Sequence, residues 1–297
     1  VGGTRVVLLL IGRLQLHSVV ADAPAPPILS TEAAAAAAGA GAAAAADEEV
    51  NLTASGKAAW EGVFPSTPRA VLMKPSRTME EVAVFWSLPG IESNTETLPG
   101  QLLGYLLGQE SKGSLTAELV KRGWATGLSA GMDEDVAALS IMGVQISLTK
   151  KGVAHWEEVL EVLYAQIALL KASDLSAAAA DARASDALGF RYSPKAPASD
   201  EASSLASSLR LCASEPERLL ACRRVATAFD APLTARLLDL LPPDRMVVLL
   251  KSTTLAANVT GNSTGDATEP HYGTLHRPLD LPPALLARLA APPAVAS

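Results

Sequence analysis

Cysteine is scarce in this 297-residue sequence, which has only Cys212 and Cys222. Two cysteines supply neither a disulfide framework nor a metal-binding cysteine pair, so we expect two ordinary thiols close to helices. Low cysteine content is also typical of proteins from a reducing compartment. The sequence therefore predicts a cytoplasmic location, with an organelle as the alternative.

Clusters of basic residues and long apolar runs are also missing. Lys and Arg total 24 against 31 Asp and Glu, and the formal charge of −7 argues against nucleic acid or an anionic membrane as a partner. The apolar run VVLLLI at 6–11 is too short to span a bilayer. With ADA at 21–23 it resembles a secretory signal, but a buried strand is the better interpretation. Because the chain begins with Val1, we expect it to be a fragment.

One segment differs sharply in composition from the rest of the chain. Residues 21–54 contain APAPP, two alanine runs and an acidic DEE, and such a segment lacks the varied apolar surface that fixes one packing. We interpret it as a low-complexity linker, which is either a genuine insertion or an error in how the coding sequence was assembled. Residues 55–297 have the composition of a folded domain.

The remaining pattern alternates between short apolar runs and amphipathic stretches. The apolar runs, bounded by Pro and Gly, are typical of strands, and the amphipathic stretches with capping residues are typical of helices. Together they predict an α+β fold with helices packed on one face of a mixed, mostly antiparallel sheet. The predicted strands are 69–74, 82–88, 124–131, 136–148 and 245–251, and the predicted helices are 98–107, 115–122, 152–171, 177–188, 203–212, 215–225 and 231–243, the last closed by its two prolines.

The helix at 152–171, GVAHWEEVLEVLYAQIALLK, contains the letters H-x-x-E of an inverted zinc-protease motif. A zinc site of this type needs a second histidine at position 159, where this chain has Val159. At 100° per residue, Val159 falls in the apolar stripe, whereas His155 and Glu158 fall outside it. The match to a zinc motif is therefore accidental, and we predict no metal site in this chain. We expect Thr149 to cap the helix.

The stretch GYLLGQESKGSLTAELVKRGWATGLSAG at 104–131, followed by an L-T-x-x-G-x-x-H helix start at 148–155, resembles a known protein family. It is similar to the second, non-catalytic domain of the insulinase-type (pitrilysin) zinc metallopeptidases. Further matches, FWSLP, FDAPL, LPPDRMVVLL and YGT, extend the resemblance over roughly residues 55–290. It implies that residues 1–20 are a remnant of a preceding domain.

The resemblance implies a division of labour between this chain and another domain. The family's zinc ligands and general base lie on an H-x-x-E-H helix of the preceding domain, and none of His17, His155, His271 and His276 belongs to such a motif here. We therefore expect a chain that is inactive alone and needs no cofactor of its own. Its partners would be peptide substrates and the zinc-bearing catalytic domain, in cis or in trans. The departures from the family pattern are Gln109, Lys150, Lys151 and His271.

In the family, the second domain holds the amino-terminal end of a substrate peptide at an exosite, and the matching residues here are Gly108, Glu110, Leu128 and Ala130. Gly108 would admit a peptide terminus close to the backbone, Glu110 would receive the α-amine, and Leu128 and Ala130 would offer a sheet edge for strand pairing. Two alternatives stay open. These residues could serve turns, caps and core, and the chain could be a degenerate interaction module that partners an active metallopeptidase.

Overall fold

The computed structural model describes residues 69–261 and 265–292. The predictions for residues 1–20 and for the linker at 21–54 lie outside the described residues. The described chain forms an α+β fold with one open, mixed sheet, as the sequence predicts.

Seven strands of the described residues build the sheet, in the order β3-β4-β2-β5-β1-β7-β6. Among the described strands, β1 and β5 run parallel, and the other neighbours pair antiparallel. The predicted strands are confirmed, although the hairpin between the third and fourth turns at 137–138 rather than before Val136. The strands are β1 Arg69–Met73, β2 Glu80–Leu88, β3 Ala125–Val136, β4 Leu139–Leu148, β5 Val247–Ser252, β6 Ala267–Thr268 and β7 Leu275–Leu279.

The α-helices of the described residues, apart from Ala198–Cys212, contribute apolar residues to one large core. They are α1 Pro99–Gly108, α2 Leu115–Lys121, α3 Lys150–Ala154, α4 Trp156–Ala172, α5 Ser176–Arg191, α6 Ala198–Cys212, α7 Ala231–Asp239 and α8 Pro283–Ala290. The two faces of strand β2 pack into different clusters. Val82, Val84 and Trp86 belong to the large core, while Ala83 and Phe85 belong to a smaller cluster. This alternation follows from the two-residue period of a strand.

The helix predicted at 152–171 is divided in two at His155, which has φ −121° and ψ 27°. The Thr149 side chain accepts a hydrogen bond from the Gly152 amide, which confirms the predicted cap. Val159 is completely buried and belongs to the core, as the helical periodicity predicts. The prediction of one continuous helix is therefore wrong, because the chain forms two helices here. The predicted buried face is confirmed.

The expectation of two free thiols is wrong, because Cys212 and Cys222 form a disulfide bond with their Cα atoms 6.6 Å apart. The helix predicted at 215–225 is wrong as well, since this segment has a single 3₁₀ turn at Pro216–Arg218 followed by further turns. These turns bring Cys222 back to the end of α6. Cysteine content consequently no longer supports the cytoplasmic location, which stays a prediction.

Candidate functional site

Strand β3 forms one edge of the sheet, and no other described strand pairs with its outer side. It has twelve residues, from Ala125 to Val136. Its pairing with β4 is irregular between Ala125 and Gly127 and between Met132 and Glu134. A long edge offers a row of backbone N–H and C=O groups to an incoming chain, and irregular pairing limits uncontrolled association.

Helix α1 lies unusually close to β3 because three glycines recur at every fourth position along it. A Cβ atom built on Gly104 would lie 3.0 Å from the carbonyl oxygen of Ala130, and one on Gly100 would lie 2.6 Å from Cγ of Met132. Residues four apart share one face of a helix. Gly100, Gly104 and Gly108 therefore form a smooth face without side chains opposite the strand.

Where α1 meets β3, a groove of about 680 Å³ opens beside the glycine face, and we call it the α1–β3 groove. Its walls are formed mainly by backbone and small side chains, so an extended peptide can approach the backbone of β3. The groove is lined by Gly100, Gln101, Gly104, Tyr105, Gly108, Gln109, Ser129, Ala130, Gly131, Met132 and Asp186.

The structure brings two of the four predicted exosite residues into this groove. Gly108 lies at the end of α1 and Ala130 lies on β3, and a Cβ on Gly108 would be 3.7 Å from that of Ala130. Leu128 is on the same strand but packs against the core. Glu110 follows α1 as an exposed residue and does not line the groove. The functional roles of all four stay predictions.

Asp186 is a groove residue that the sequence did not indicate. It lies on α5, whose sequence SAAAADARASDALGFR has no clear periodic pattern. Burial raises the pKa of the Asp186 carboxyl above its ordinary value. Only the packing of α5 against α1 brings this side chain to the groove, and no local sequence signal predicts that packing.

The start of β3 is fixed by the residues of the L-T-x-x-G-x-x-H pattern. The Thr149 amide donates to the Trp124 carbonyl oxygen at 2.9 Å. The His155 ring stacks on the Trp124 ring with 5.1 Å between centroids, and Nδ1 of His155 lies 3.2 Å from Oε1 of Glu158. His155 thus has a structural contact that accounts for its place in the pattern. The contact with Trp124 lies directly before the amino-terminal end of the edge strand.

Within residues 69–261 and 265–292, no group of three or more His, Cys, Asp and Glu side chains is placed to hold a metal ion. None of the helices described there is both long enough and apolar enough to cross a lipid bilayer.

Two family models match the chain in succession. The model "Peptidase M16 inactive domain" matches residues 57–183, and "Middle or third domain of peptidase_M16" matches residues 190–296. Together they confirm the resemblance and identify the first region as a non-catalytic domain of a peptidase.

Relatives of known name give the same result. The A-factor-processing enzyme of Saccharomyces cerevisiae is 27% identical over 235 residues, which are 75% of this chain and 21% of that enzyme. Insulin-degrading enzyme-like 1, peroxisomal, of Arabidopsis thaliana is 28% identical over 221 residues, which are 72% of this chain and 22% of the relative. The chain thus spans about one fifth of the length of these curated relatives.

The fold is similar to that in the crystal structure of pitrilysin, with a TM-score of 0.67 at 19% identity over 78% of this chain and 24% of that one. At this identity the structural comparison shows a common fold. With the sequence matches, it leads to one conclusion: this chain belongs to the peptidase M16 family of insulinase-type metallopeptidases.

Proposed function

We propose that this chain is a non-catalytic, substrate-holding domain of an insulinase-type zinc metalloendopeptidase. The observation that carries the proposal is the outer edge of β3, on which no other described strand pairs and which lies beside the α1–β3 groove. A bound peptide would add to β3 as a further strand, through hydrogen bonds between the two backbones.

The chemistry of the groove favours binding with little dependence on peptide sequence. Backbone groups supply the hydrogen bonds, and these depend little on the side chains of the bound peptide. An extended strand of this length spans roughly 40 Å. Such a strip holds one end of a long peptide in a fixed direction and leaves the rest free to reach a second site.

Cleavage would take place on a different domain, which supplies the zinc ion and the general base in cis or in trans. The chain would contribute binding energy, since holding a substrate in one orientation raises its effective concentration at the reacting centre. The relatives are an A-factor-processing enzyme and insulin-degrading enzymes, and their names favour peptide substrates for the whole protein.

Alternate N-methylation of a peptide tests the proposed strand pairing without changing the protein. In an extended peptide, successive N–H groups point to opposite sides, so only every second one would face β3. We expect methylation of one alternate set to weaken binding at least tenfold in fluorescence anisotropy. Methylation of the other set is the matched control and should leave the affinity within about twofold. Equal affinity for both methylated peptides would refute pairing on β3.

A second test changes the groove itself. A Cβ at Gly108 meets Ala130 only at ordinary van der Waals distance, so Gly108→Leu is expected to preserve the fold while its longer side chain obstructs the groove. Peptide binding should fall at least tenfold, with the thermal unfolding midpoint as the check on folding. Unchanged binding by a folded variant would exclude the α1–β3 groove as the binding site. Capture of a stable protein partner in that case would support the interaction module instead.

A further inference from the structure

We propose that Asp186 makes the α1–β3 groove selective for peptides that carry a positively charged nitrogen near their bound end. This inference rests on the proposed function, because it requires that a peptide occupies the groove. It adds a specificity-determining residue and a substrate class, cationic peptides. Without this residue, the site would recognise only the backbone of the peptide.

The charge distribution of the groove carries the inference. Among the described residues that line it, Asp186 is the one with a charged side chain, and its neighbours there are glycines, Ala130, Met132 and neutral polar residues. Glu110, which the sequence pattern indicates for an α-amine, does not line the groove. A cation bound beside β3 therefore meets the carboxylate of Asp186 rather than that of Glu110.

The Asp186 carboxylate makes no hydrogen bond or ion pair with the other described residues. The nearest cation along its own helix is Arg183, but Nη1 of Arg183 donates to the carbonyl oxygen of Thr227 at 3.3 Å. A carboxylate that is partly withdrawn from water and uncompensated favours an opposite charge in its surroundings, and burial raises its pKa until such a charge arrives. The missing counter-charge is what a cationic ligand would supply.

Two parts of a peptide can supply this nitrogen, namely the free α-ammonium group or the side chain of a lysine or arginine. Both are cationic donors that shorten and strengthen a hydrogen bond to a carboxylate. The walls of the groove are open enough for either, so the test must separate them. Four peptides of one length do this, with a free or acetylated amino terminus and with lysine or norleucine at the second position.

The experiment measures the affinity of these four peptides for the whole chain and for three variants. Asp186→Asn removes the charge at nearly constant shape, and Asp186→Glu keeps it. Asp181→Asn is the matched control, because Asp181 is an exposed carboxylate on the same helix and does not line the groove. Thermal unfolding of each variant verifies that it is folded.

We expect Asp186→Asn to weaken binding of the cationic peptides about tenfold and to leave the acetylated norleucine peptide unchanged. Asp186→Glu should retain the preference, and Asp181→Asn should behave as the unchanged chain. If the free terminus alone carries the loss, the α-ammonium is the ligand, and if lysine alone carries it, the side chain is. Either result supports the inference.

The inference fails if Asp186→Asn binds all four peptides as the unchanged chain does, or if Asp181→Asn causes the same loss. In that case the proposed strand pairing still stands, provided that the two N-methylated peptides differ in affinity. If none of the peptides binds at all, the proposed function itself fails, and the inference fails with it.

Discussion

Gly152 shows how a single residue supports the edge strand from a distance. A Cβ atom at this position would lie 1.8 Å from the carbonyl oxygen of Trp124, which is backbone and cannot rotate away. The same oxygen accepts the hydrogen bond from the Thr149 amide. The glycine of the L-T-x-x-G-x-x-H pattern is thus required by the close approach of α3 to the beginning of β3.

We expect Gly152→Ala to lower the free energy of unfolding by about 3 kcal/mol, because backbone must move to admit one methyl group. Gly189→Ala is the matched control, since Gly189 lies exposed on α5 with nothing within 4 Å of an added Cβ. There the better helix propensity of alanine should raise the free energy of unfolding by about 0.5–1 kcal/mol. Urea denaturation measures both, and equal effects of the two changes would contradict the close contact.

Tyr164 gives the fold a specific sensitivity to high pH. Its hydroxyl is buried and accepts a hydrogen bond from Nε1 of Trp86 at 3.2 Å. Burial raises the pKa of Tyr164 far above its ordinary value, against the smaller opposing effect of Trp86. The folded state therefore favours the protonated phenol, and the unfolded chain releases that proton near its ordinary pKa of about 10.

The stability contributed by this group is complete below about pH 10 and is lost as the pH rises above it, at up to about 1.4 kcal/mol per pH unit. Tyr164→Phe cannot ionise and should lack this slope. At pH 8 the variant should be less stable by about 1 kcal/mol through the lost hydrogen bond. By pH 11 the difference should shrink or reverse in urea denaturation, and parallel curves for the two proteins would contradict the assignment.

For single residues, interactions between neighbours in the sequence could be predicted, whereas interactions between distant segments could not. The Thr149 cap acts on the Gly152 amide three residues ahead, so the short pattern contains both partners. Asp186 and the disulfide pair depend on where distant segments meet. The sequence contains neither distance, and for that reason the groove carboxylate was missed and the cysteines were misassigned.

Among the elements, α6 and the turns after it are held to the rest of the molecule by few contacts. Arg210 on α6 pairs with Glu92, Arg218 donates to the carbonyl oxygen of Thr95, and the Thr227 amide donates to that of Glu96. All three contacts reach the loop just before α1. The Cys212–Cys222 bond therefore closes the segment that supports the amino-terminal end of the groove helix.

We expect the double substitution Cys212→Ser and Cys222→Ser to lower the free energy of unfolding by about 2–3 kcal/mol, because the unfolded chain regains the freedom of a short loop. Reduction of the unchanged chain should have the same effect in guanidinium denaturation, whereas reductant should not affect the double variant. Equal stability of the oxidised and reduced chain would show that the bond does not constrain this segment.

Element positions could be predicted where a periodic pattern was strong. The apolar stripe of α4 identifies one buried face of that helix, and this prediction is confirmed. The length of β3 was underestimated, since Asp133, Glu134 and Asp135 do not have the apolar pattern of a strand. Their extended conformation follows from pairing with β4, which is a tertiary effect.

For the whole molecule, the sheet order contradicts a simple reading of the two family matches as separate folding units. The boundary between the matches, at 183–190, falls inside α5. Strand β5 lies in the second match, yet it pairs with β1 on one side and with β2 on the other, both from the first. No sequence pattern predicts that β5 lies between β1 and β2. Parallel strands are joined by long connections, so strands that pair can be far apart along the chain.

The position of β5 predicts that residues 1–190 do not fold alone. All six residues of β5 are buried, and without them β1 and β2 would expose unpaired backbone and apolar faces in the middle of the sheet. We expect this fragment to show no cooperative thermal transition in circular dichroism. Residues 191–297, added as a separate chain, should restore one by supplying β5. A cooperative transition of the first fragment alone would contradict this prediction, because it would show that the sheet forms without its central strand β5.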